Sequence, residues 1–147
     1  MEQKLSFIGT MQATHTKGDG SVHLIKKNNL IVDVGFDLIA DALGASVSRP
    51  NVISHIAVGT GVVAAAAGNT TLGTELNRQA ATYAHTAGTK VFTVVASYPA
   101  GTATGAITEA GVFNAATTGD MLDRVVFSVI NKGADDSLDI TFTFTLS

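Results

Sequence analysis

The chain has 147 residues, no cysteine and a net charge of −3, with its nine Lys and Arg residues scattered along it. That length fits one domain that buries its own core, and the missing thiols exclude a disulfide-stapled mini-protein and a thiolate metal site. No basic stripe points to nucleic acid, and no apolar run approaches the ~18 residues of a membrane helix.

"MEQKLSFIGTMQ" has no continuous apolar core, so no signal peptide is expected. "KGDG", Lys17 to Gly20, reads as a turn, and "SVHLIKKNNLIV" after it as a strand. "VGFDLIADALGA" predicts the single helix, with Phe36, Ile39 and Leu43 at i, i+3 and i+7 and Leu38 and Ala42 beside them. Gly44 stands where a C-cap glycine would. Asp33, Asp37 and Asp41 share one helix face, which is either solvated or a contact to a neighbouring subunit. "HIAVGTGVVAAAAGNTTLGTE", His55 to Glu75, opens as a strand. Gly59 and Gly61 are expected to turn the chain through positive φ, and Gly68-Asn69 to turn it back. Val62 to Ala67 is the longest apolar run in the chain and reads as an apolar loop.

Further strands are predicted at Lys90 to Tyr98 and Ala106 to Asn114. "MLDRVVFSVINKGADDS" reads as a strand with Val125, Phe127 and Val129 on one face, followed by a turn. "SLDITFTFTLS" alternates strictly, with Leu138, Ile140, Phe142, Phe144 and Leu146 on one face and Asp139, Thr141, Thr143 and Thr145 on the other. It should be a central core strand, paired antiparallel with the one before it.

A search for chemistry returns nothing. The Gly59-Thr60-Gly61 stretch lacks the lysine of a phosphate loop, and Ala64 breaks a GxGxxG reading. His15, His23, His55 and His85 have no ligand spacing, although His15 and His23 could face each other across a hairpin. No GxSxG occurs. Glu109 lies inside a strand-like run, where an inward carboxylate needs a partner such as Arg78 or Arg124. A structural ion pair is the expected reading there. No catalytic, cofactor-binding or metal residue is assigned, and the chain is not expected to be an enzyme. Only 14% of residues are charged, against about 25% in a typical domain, and the mean hydropathy is +0.31. A chain so poor in charge is expected to hide surface against other copies.

Three ordered segments carry a resemblance. They are "NNLIVDVGFDLIADALG" (Asn28 to Gly44), "ISHIAVGTGVVAAAAGNTTLGTEL" (Ile53 to Leu76) and "GAITEAGVFNAATTGDMLDRVVFSVINKGADDSLDITFTFTL" (Gly105 to Leu146). Together they resemble small virion structural proteins of tailed bacteriophages, commonly described as tail-fibre-like or as capsid decoration (cement) proteins. The resemblance implies a mainly β fold, an antiparallel β-sandwich of jelly-roll type with one short helix, over residues 28–147. Residues 1–27, which match less clearly, are expected to form an N-terminal arm or edge strand. The implied function is a capsid decoration protein that binds the assembled shell and stabilises neighbouring capsomers; the alternative is a tail fibre or baseplate component. The implied partners are other copies of the chain, as a homotrimer, and the major capsid protein or other virion proteins, with no nucleic acid and no membrane. The implied location is the virion, assembled in the host cytoplasm. Expected contact groups are Leu5, Phe7 and Ile8 in the arm and Val62, Val63, Ala64 and Ala65 in the loop.

Overall fold

A computed structural model describes all residues, Met1–Ser147. In chain order the elements are β1 (Phe7–Thr16), β2 (Val22–Asn28), β3 (Leu30–Ile31), α1 (Asp33–Gly44), β4 (His55–Gly59), β5 (Glu75–Ala80), β6 (Thr82–His85), β7 (Val91–Tyr98), β8 (Gly105–Phe113), β9 (Met121–Lys132) and β10 (Ser137–Leu146). The strands form two five-stranded sheets, ordered β2-β1-β10-β7-β6 and β3-β9-β8-β4-β5. Every strand pair is antiparallel. The two sheets pack as a β-sandwich, and this order does not by itself establish the jelly-roll connection implied above.

The period-2 alternation of β10 places it at the centre of the first sheet, between β1 and β7. Leu138, Ile140, Phe142 and Phe144 are fully buried, whereas Leu146 at the strand end reaches the surface. Facing them from the second sheet are Ile56 and Val58 of β4, Ile107, Ala110 and Val112 of β8, and Leu122, Val125 and Phe127 of β9. Burial of each large side chain here contributes roughly 1.5–3 kcal/mol. Residues 7–28 are sheet rather than a free arm. β1 pairs with β10 over its whole length and sends Met11 and Ala13 into the core, while β2 forms the sheet edge.

Five sequence expectations are corrected. β9 and β10 do not pair with each other; the turn between them crosses from one sheet to the other. "SVHLIKKNNLIV" is likewise split, β2 joining the first sheet and β3 the second. Val129 does not continue the face of Val125 and Phe127: it is exposed, and Ile130 is buried instead. The pairing explains the switch, since Ile107 meets Ile130 but Glu109 meets Val126. β9 thus runs four residues where β8 runs two, an irregularity across which neither strand keeps its period-2 alternation. Gly44 is the last residue of α1 rather than a left-handed cap; extended Ala45 follows and donates its amide to Asp41 O. The buried helix face carries Gly35 and Leu38, with Ile39 and Ala42 half-buried, leaving Phe36 and Leu43 in solvent.

Candidate interaction surface

β8 is buried without interruption from Ile107 to Phe113, because its sheet is covered on both faces. The first sheet covers one face. The long loop between β4 and β5 lies over the other, where Leu72 packs against Ala57, Phe113, Met121 and Val32.

A buried ion pair fixes that loop. Glu109 accepts hydrogen bonds from the amides of Gly61 (2.9 Å), Gly73 (2.9 Å) and Thr74 (2.8 Å). It also accepts from Arg124, through Nε at 3.0 Å and Nη2 at 2.8 Å. Burial pushes the Glu109 carboxyl up, but these donors together outweigh it and hold its pKa below the ordinary value. Arg124, rather than Arg78, is therefore the partner that the sequence left open. Arg78 instead pairs with Glu75 and lies over the Phe113 ring. Gly59 and Gly61 do not use positive φ as expected. They are small because a Cβ on Gly61 would sit 2.5 Å from Glu109 Oε1, and one on Gly59 2.3 Å from Thr74 O.

The remaining donors of Arg124 orient the apolar run. Its Nη2 donates to Val63 O (3.0 Å) and its Nη1 to Asn69 Oδ1 (2.9 Å) and Ala64 O (3.3 Å). Asn69 donates its amide to Ala66 O, closing the expected turn, and accepts from Ala66 N at its side chain. Ala67 O accepts from Asp33 N, the first amide of α1. The loop carbonyls are thus drawn inward, and Val62 and Val63 project outward, 73% and 76% exposed. Ala64 is also exposed and Ala65 half-buried.

A second apolar feature lies at the other end of α1. An open groove of about 590 Å³ is lined by Leu38, Leu43, Val52, Tyr83, Phe92 and Leu146, among others. Phe7 belongs to its wall, stacked on Phe92 (5.9 Å between centroids) and Phe144 (5.4 Å). Leu5 and Ile8 are exposed, Leu5 ahead of β1 and Ile8 on it. The structure therefore places Phe7 and Ile8 on the first sheet and Val62–Ala65 over the second; it does not bring them into one patch.

The other polar side chains act within the fold. His15 and His23 are opposite in the β1–β2 hairpin, with ring centroids 6.2 Å apart. His15 Nε2 meets Asp136 Oδ2 at 2.8 Å, and Asp136 also accepts from the amides of Gly18 and Gly133. Those backbone and imidazole bonds lower its pKa to about 2. Lys132 is buried beside it and donates to Pro99 O (3.1 Å) and Asp136 O (2.7 Å). Asp123 is fully buried, and burial pushes its pKa up to about 7, although it accepts from Asn29 Nδ2 and Val112 N. No three His, Asp or Glu side chains converge as metal ligands. Compared with protein-family models, with curated proteins and with solved structures, the chain gives no match.

Proposed function

We propose that this chain is a non-enzymatic virion structural protein of a tailed phage, a capsid decoration protein that binds the assembled shell. The observation that carries the reading is the inverted loop: a buried ion pair spends its hydrogen-bonding capacity on turning valines toward solvent. A buried charge pair is a weak source of net stability. Its use here to present apolar side chains fits a surface made for protein contact.

The resemblance supports the same reading through particular residues. Asn29 and Gly35 of its first segment both meet β9: Asn29 bonds Asp123, and a Cβ on Gly35 would lie 2.1 Å from Leu122 O. Gly61 and Gly73 of the second segment meet Glu109 and Arg124 of the third. The three segments that carry the resemblance thus touch one another at β8 and β9.

In this role the protein acts by linkage. A ligand that binds only the assembled shell adds its binding free energy to shell stability. Many copies multiply the effect without new kinds of contact. Gold-labelled antibody against the chain, applied to intact virions, tests the proposal. Label distributed over the head is expected. Label confined to the tail replaces it with the tail-component reading, and unlabelled particles overturn both.

A further inference from the structure

We propose that His15 and His23 hold a divalent transition-metal ion of the kind that prefers imidazole, Zn2+ in the first place, in the cleft beside the β1–β2 turn. The two residues stand directly opposite each other in the hairpin, with ring centroids 6.2 Å apart. An ion bonded to both at about 2.0–2.1 Å, each bond adding about 1.1 Å to reach the ring centre, spans centroids up to about 6.4 Å apart. The observed separation lies inside that reach. His23 is exposed on the edge strand, so a turn of its side chain closes the pair to a tetrahedral angle.

The surroundings suit such an ion. The cleft, of about 370 Å³, opens between the β1–β2 hairpin and β9, and His15, Lys17, His23, Leu24 and Asn131 line it, among others. Asp136 sets the tautomer of His15. Held ionised by the amides of Gly18 and Gly133, its carboxylate only accepts, so His15 donates from Nε2 and neutral imidazole keeps its lone pair on Nδ1. Nδ1 makes no bond within the chain, yet it is not sealed in the core: the one buried side-chain nitrogen or oxygen without a partner is Asn29 Oδ1. A carboxylate behind the histidine is the usual support of a metal-bound imidazole, fixing the ring and raising its basicity. A His15–Asp136 bond with a structural role alone needs no second imidazole opposite. Lys17 brings a positive charge to the rim, which Asp19 beside it offsets. Water completes the coordination of the two imidazoles.

Calorimetric titration of the untagged chain with Zn2+ tests this. One ion per chain is expected, and Mg2+ at the same concentration is expected to give no binding, because it prefers oxygen ligands. Asp136→Asn keeps both imidazoles but removes the carboxylate behind His15, and should weaken Zn2+ binding about 10–100-fold. His23→Ala, at an exposed position, should keep the wild-type circular dichroism and lose at least as much affinity. His85→Ala, on the opposite edge strand of the same sheet, should bind as the wild type does. With Cu2+ as a spectroscopic probe, electron paramagnetic resonance should show two imidazole nitrogens in the wild type and one in His23→Ala. Absence of Zn2+ binding, binding that His23→Ala leaves unchanged, or a wild-type Cu2+ spectrum with a single nitrogen overturns the site. If Asp136→Asn fails to fold, the His23→Ala and Cu2+ results decide alone. The site does not depend on the virion reading, which particle labelling tests separately.

Discussion

The carboxylate of Glu109 shows how one side chain sets the character of a surface far larger than itself. Three backbone amides and two guanidinium N–H groups converge on it, from both ends of the loop and from β9. Replacing Glu109 by alanine strands Arg124 as a buried unpaired charge, which should cost about 3–5 kcal/mol in urea unfolding. The pair also acts as a unit. In a cycle with Arg124→Met, the two losses should fail to add by about 0.5–3 kcal/mol; simple additivity would show that the two residues work independently. Sequence reading placed Glu109 inside a strand-like run and named Arg78 and Arg124 as partners for its carboxylate should it point inward. It could not choose between them, because Arg78 and Arg124 approach the same region from strands whose pairing the sequence does not state.

At the scale of elements, the bulge in β9 is the feature that alternation alone gets wrong. Period 2 carries the face from Val125 and Phe127 to Val129 only while neighbouring strands advance residue for residue. The additional residues between Val126 and Ile130 break that condition. Ile130→Ala should therefore cost about 2–5 kcal/mol, as buried aliphatic truncations do. Val129→Ala should stay within about 0.5 kcal/mol, as surface substitutions do. Equal losses in denaturant unfolding would place both residues in the core and remove the bulge. β5 and β6 escaped sequence reading altogether. β5 mixes Glu75, Asn77, Arg78 and Gln79 with a single leucine, and all four residues of β6 are exposed. Both are edge strands, which need no strong apolar pattern. The edge formed by β2 carries Lys26 and Lys27, charges that discourage strand-to-strand aggregation there.

For the whole molecule, the buried acids set opposing pH dependences. Asp136 has a folded pKa near 2 against an ordinary 3.8, so the folded state binds fewer protons than the unfolded chain between those values. Its contribution is complete above about pH 4 and is lost on acidification toward 2. Glu109, also lowered, adds to the same acid limb. Asp123 works in reverse. With a folded pKa near 7, the folded state holds a proton that the unfolded chain has released, so stability falls as pH rises from about 4 to 7. The fall is at most on the order of 4 kcal/mol. Melting temperature is therefore expected to peak in mildly acidic solution, near the point where the two limbs meet. Asp123→Asn should flatten the upper limb and Asp136→Asn the lower. Melting curves of Asp123→Asn that run parallel to wild type from pH 4 to 7 would exclude Asp123 as the titrating group.

The sequence by itself determined whatever depends on local pattern. Alternation in "SLDITFTFTLS" marked a central strand, and the helix followed from apolar spacing at Phe36 to Leu43. The apolar loop was legible from its small residues and its missing lysine. Tertiary structure decided whatever depends on who lies opposite whom. It separated β9 from β10, turned the helix so that Leu38 rather than Leu43 is buried, and chose Arg124 over Arg78. It also decided which way the alanine loop faces. Valine and alanine side chains carry no instruction to point outward. The direction comes from Arg124, distant in sequence, which binds the loop carbonyls and leaves the side chains no place but solvent.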